Sequence, residues 1–76
     1  MSPMTQHRAV AGHIGDFHVM LAGSRAAGGF GLVFPEQIAI TPDGRTSVSC
    51  AGIWDDAHID GLARLARLVK EMGAVP

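Results

Sequence analysis

The sequence predicts an α+β domain, a small antiparallel sheet of three to four strands with one C-terminal helix packed on one face. Three observations predict it. Apolar residues alternate in "FHVMLA" (17–22) and "FGLVF" (30–34), a turn signature "TPDGR" (41–45) separates two β-prone runs, and an apolar arc at helical spacing runs from residue 59 to Gly73.

Taken in chain order, residues 1–8 are polar, contain Pro3 and read as a flexible start to a single domain spanning 1–76. "RAVAG" (8–12) has weak strand character, and "HIGD" (13–16) reads as a turn bounded by glycines. In 17–22 the alternation sends Phe17, Val19 and Leu21 to one side and His18, Met20 and Ala22 to the other. "GSRAAGG" (23–29) reads as a small-residue loop, and 30–34 as a second strand with Phe30, Leu32 and Phe34 inward. Pro35 has no N–H for a ladder, which predicts a bend or bulge at a sheet edge.

The turn at 41–45 has its own chemistry. Pro42 presets φ and Gly44 takes a left-handed conformation, closing a three-residue hairpin. In that register Ile38 faces Val48 and Ile40 faces Thr46 on the core side with Cys50, while Ala39 faces Ser47 and Gln37 faces Ser49 on the other. Residues 55–72 read as a helix: Asp55 as N-cap, Trp54 stapled onto Ile59, Gly73 as terminator. Ile59, Leu62, Leu65, Ala66, Leu68, Val69 and Met72 form the arc that would cover the sheet.

Nothing in the sequence is left to cover the second sheet face. That face would carry His18, Met20, Val33, Ala39, Ser47 and Ser49, with Arg45 at the turn, and it is the expected partner-binding surface. At 47% hydrophobic and 17% charged the chain can fold. A core of this size supplies only about 3–5 kcal/mol, so a homodimer or a partner would help.

Composition excludes several classes. A net charge of −1 with interspersed signs builds no phosphate-neutralising stripe, and one Trp, three Phe and no Tyr make a poor stacking platform, so nucleic acid is an unlikely partner. The single Cys50 rules out an internal disulfide and fits a reducing compartment. No apolar run reaches the length of a membrane span, and the expected location is cytoplasmic.

These readings point to a non-enzymatic protein–protein interaction module that masks a surface on another protein or a larger complex. It would serve as regulator, inhibitor or assembly subunit, in the size class of phage-type inhibitors such as anti-CRISPR proteins, and would need no cofactor. The alternative is a metal- or small-ligand-binding domain using His13, Asp16 and His18. Zinc would require three or four such groups converging at about 2.0–2.3 Å, and no diagnostic ligand spacing occurs. Cys50 reads as a small core hydrophobe, and His58, inside the helix's apolar arc, as a structural histidine bonded to backbone. The glycine-rich "AGSRAAGGFG" lacks a phosphate-loop pattern.

Overall fold

The computed structural model describes all residues, 1–76. Its helices are α1 (Asp16–Ala27) and α2 (Ile59–Glu71), and its short strands are β1 (Ile38–Ala39) and β2 (Ala51–Gly52). Single 3-10 turns occupy Pro42–Gly44 and Asp56–His58.

The centre of the molecule is the extended segment 31–34, which is paired on both sides. On one side the Met1 nitrogen donates to the Leu32 carbonyl at 2.6 Å, and the Phe34 N–H donates to the Met1 carbonyl at 3.2 Å. On the other, Val33 N–H donates to Val75 O and Val75 N–H to Gly31 O, both at 2.9 Å. Leu32 and Val75 form a parallel bridge. The Met1 bonds show the same slanted exchange, in which one residue bonds the two that flank its opposite number, and this marks a parallel pair. The segments therefore lie side by side in chain order, with α1 joining the first to the second and α2 the second to the third.

Both helices cover one face. Val19, Ala22 and Ala26 of α1 meet Leu65 and Val69 of α2 over Val33 and Ala74, forming the core. Because side chains alternate along an extended chain, Leu32 and Phe34 point the other way and stay exposed. Gly23 lets the helices approach: a Cβ there would lie 2.8 Å from Leu68 Cδ2.

This architecture corrects the expected antiparallel sheet in three places. The segment 17–22 is helical, as part of α1, and so is most of the presumed loop after it. Its buried positions, His18, Val19, Ala22, Gly23 and Ala26, fall on one helical stripe of mostly small residues. The segment 31–34 is extended and central, bridged to Val75 through Leu32, with Val33 as its buried residue in place of Phe30, Leu32 and Phe34. The hairpin does not form, since β1 and β2 pair in parallel, Ile38 with Ala51 and Ala39 with Gly52. Thr41 caps the 3-10 turn by accepting from Gly44 N–H. Ser47 then starts another turn, its hydroxyl accepting from Ser49 N–H and its carbonyl from Cys50 N–H. Local side-chain bonds thus bend the chain twice before it can return antiparallel. Ile40 and Val48, expected inside, are both 78% exposed.

The C-terminal helix forms as the sequence predicts. Asp55 accepts from Ala57 N–H at 2.9 Å, and Gly73 leaves the helix at φ +91°. The Trp54 ring packs edge-on against His58.

Candidate functional site at the carboxyl ends of the parallel strands

The pairing of Met1 with 32–34 sends residues 2–6 past the same end of the sheet as Pro35, Glu36 and Gln37. Ser2, Pro3, Met4 and Gln37 are exposed there, and Thr5 and Gln6 are half-buried. Gln6 folds its amide back to donate to the Met4 carbonyl at 2.9 Å, and His7 takes a left-handed φ of 57°. The His7 Nδ1 lies 3.1 Å from the Ser47 hydroxyl, which joins this loop to the turn before β2.

Beneath the edge lies a buried ionisable pair. His18 Nε2 is 3.4 Å from Glu36 Oε1, and their side chains are only 3% and 2% exposed. His18 sits in the first turn of α1, where its Nδ1 accepts the Gly15 N–H at 3.0 Å. With Nδ1 occupied as an acceptor, the neutral ring carries its proton on Nε2, aimed at Glu36. Burial pushes the His18 pKa down. Burial pushes the Glu36 carboxyl up, opposed by the Gln6 main chain and the charge on His7. Glu36 Oε2 has no hydrogen-bond partner, and the His18–Glu36 contact is too poor for His18 Nε2 to count as satisfied.

A second cluster surrounds Trp54. His13 and Trp54 each present an edge to the His58 ring, with centroids 4.6 Å apart in both cases. His58 Nε2 is 3.0 Å from the Ala11 carbonyl, and the Arg45 guanidinium lies over Trp54 at 5.3 Å.

The expected partner-binding residues do not share a face. His18, Val33 and Ala39 are buried, while Arg45, Ser47 and Ser49 are half-buried around the turns before β2. Met20 alone is a large exposed apolar group, at 56%. The alternative metal set is dispersed as well. His13 meets His58 edge-on, Asp16 pairs with Arg64 at the surface at 2.8 Å, and His18 turns inward to Glu36. No group of three metal-ligating side chains converges. The sequence does not single out Glu36; its signal is a lone acidic residue just past the apolar run 30–34, after Pro35.

Residues 1–75 match the NADH:flavin oxidoreductase / NADH oxidase family. The chain belongs to that family. It is 46% identical over 76 residues to an NADPH dehydrogenase of Bacillus licheniformis, a match that covers 97% of this chain and 22% of that protein. It is 42% identical, with the same coverage, to an NADPH dehydrogenase of Geobacillus sp. WCH70. The chain thus spans about a fifth of the length of these curated relatives.

Membership in the NADH:flavin oxidoreductase family overturns the expected non-enzymatic interaction module and the regulator and inhibitor roles attached to it. No helix is long and apolar enough to cross a membrane.

Proposed function

We propose that this chain forms one flavin-facing edge of an NADPH-dependent oxidoreductase. The observation that carries the reading is the convergence of two polar segments, 2–6 and 35–37, at the carboxyl ends of adjoining parallel strands. In parallel α/β folds that is where ligands and cofactors bind. Neighbouring strands in chain order with both helices on one face match the winding of a β/α barrel, whose inward side would be the bare Leu32 and Phe34 face.

The residues at this edge fit a flavin. The Ser2 and Thr5 hydroxyls and the Gln37 amide offer donors and acceptors at or near the surface. The orphaned Glu36 Oε2 lies behind them as an anchoring group. Bound there, flavin would accept a hydride from the nicotinamide and pass reducing equivalents to a second substrate. Ser2, Thr5 and Gln37 would hold and orient the polar rim of the ring system. Pro35 and Met4 would exclude water from its edge, and the buried His18–Glu36 pair would keep the two loops in register. The chain encloses no pocket by itself, so the rest of the cofactor site would come from further sequence of the length the relatives have. Cytoplasmic residence, where NADPH is at hand and the buried thiol of Cys50 stays reduced, belongs to the same reading.

The test is an anaerobic titration of the purified whole protein with NADPH and with NADH, followed by the visible flavin spectrum. Bleaching by NADPH at stoichiometric amounts is the expected outcome. A protein that neither carries flavin nor takes it up on reconstitution would overturn the reading.

A further inference from the structure

We propose that Glu36 is a positioning residue for the flavin edge, its buried carboxylate fixing residues 2–6 and Gln37 relative to the end of the central strand. The inference rests on the flavin reading above and goes beyond it by assigning a role to a group that would not touch the cofactor.

Glu36 stands where three segments meet. It follows the central segment 31–34 and Pro35, it faces His18 in the first turn of α1, and the Gln6 main chain is near enough to oppose the rise of its pKa. Its neighbour Gln37 is exposed while Glu36 is buried, the alternation of an extended chain. One side chain is thus an anchor driven into the protein, and the next is presented at the edge. A change in how Glu36 is held moves Gln37 with it.

A carboxylate is a costly way to fill this space. Burying one costs several kcal/mol unless donors surround it, and here one oxygen has no partner at all. An apolar side chain would pack at no such cost. The carboxylate does what an apolar group cannot: it offers an oxygen to His18 Nε2 at 3.4 Å and faces the main chain of the loop that leads back to Thr5 and Met4. His18 suits this task because the Gly15 N–H occupies its Nδ1 and leaves Nε2–H as its single donor. Its ring is oriented at one end by the start of α1 and at the other by Glu36. The pair therefore couples the beginning of α1, the loop after Met1 and the end of the segment 31–34.

The test uses the whole protein with flavin bound. Glu36→Leu roughly keeps the volume but removes the acceptor that faces His18 Nε2 at 3.4 Å. We expect flavin to dissociate roughly tenfold more readily, the equivalent of about one lost hydrogen bond, with a displaced visible spectrum for the flavin that remains. His18→Asn removes the imidazole donor to Glu36 while its amide oxygen can still accept from Gly15, and it should give the same spectral displacement if Glu36→Leu fails to fold. Glu36→Asp, which keeps the charge, should restore part of the affinity. Variants that lose thermal stability but keep the wild-type flavin affinity and spectrum would overturn the proposal and leave the flavin reading intact. A wild-type protein that binds no flavin would overturn both.

Discussion

The imidazole of His58 donates from Nε2 to the carbonyl of Ala11 across 3.0 Å, tying the approach to α2 to a loop 47 residues earlier. The same ring is held edge-on by His13 and Trp54. His58→Phe would keep an aromatic ring in that slot and leave the Ala11 carbonyl without its partner. It should cost about 1–2 kcal/mol. His58→Ala, which also opens a cavity, should cost about 3 kcal/mol or more. Urea unfolding measures both, with an unchanged dependence on denaturant if only the folded state is affected.

Gly12 closes the other side of this cluster. Its φ is +81°, and a Cβ there would sit 2.6 Å from Trp54 Cη2 and 2.7 Å from His58 Nε2. Gly12→Ala combines left-handed strain of about 1–2 kcal/mol with overpacking of similar size. Fluorescence of the single tryptophan should shift as the ring is displaced. Gly15→Ala, where nothing lies within 4 Å, is the matched control, and it should cost less than about 1 kcal/mol.

The buried pair makes stability depend on pH in two opposed ways. Burial lowers the His18 pKa from its ordinary 6.5, so protonation weakens the folded state, and this stability is lost as pH falls below that value. Burial raises the Glu36 carboxyl above its ordinary 4.5, so ionisation weakens the folded state, and that stability is lost as pH rises above it. His7 faces the same carboxylate and reduces the rise while it is charged. Wild type should therefore lose stability faster than His18→Asn on acidification below 6.5. The advantage of wild type over Glu36→Gln should shrink as pH climbs from 4.5. Differences that stay flat with pH would contradict both statements.

At the crossing of the helices, Gly23 meets the Leu68 methyl groups. Gly23→Ala trades about 1 kcal/mol of helix propensity against a contact that a flexible leucine can relieve, and it should be close to neutral. Gly23→Leu forces the helices apart and should cost more than about 2 kcal/mol. Thermal unfolding of the two variants separates them.

The ion pair between Asp16 and Arg64 also bridges the helices, but its side chains are 91% and 52% exposed. Asp16→Asn should change stability by no more than about 1 kcal/mol, and less in high salt. A larger loss would mean that the pair is shielded from solvent in the whole protein.

Where the sequence could be read, a strong local signal agreed with the tertiary environment. For α2 the wide apolar arc, the Asp55 cap and Gly73 all pointed to one element. α1 was missed because Phe17, Val19 and Leu21 imitate a strand, while its buried stripe is carried by alanine and glycine, which contribute little to an apolar pattern. Pro42-Asp43-Gly44 does turn the chain, but as a 3-10 turn without the left-handed Gly44 that the hairpin required, and a turn signature does not say where the chain goes next. Here Thr41 and Ser47 bent it into a parallel course. The strand 31–34 was legible as a strand but its faces were inverted, since Val33 is the residue both helices cover. The site suffered most, because its members come from opposite sides of α1 in the chain. His18 looked like a surface residue once its helix had been taken for a strand, and Glu36 means little until the parallel pairing places it at the end of the sheet.

The side-by-side order of the paired segments also bears on how the chain assembles during synthesis. Met1 can pair as soon as residues 31–34 emerge, with α1 already made and able to cover Val33. Val75 arrives later and adds to the free side, bringing α2 down with it. Each of these three segments meets a neighbour already made, so this part of the sheet can grow in one direction as translation proceeds.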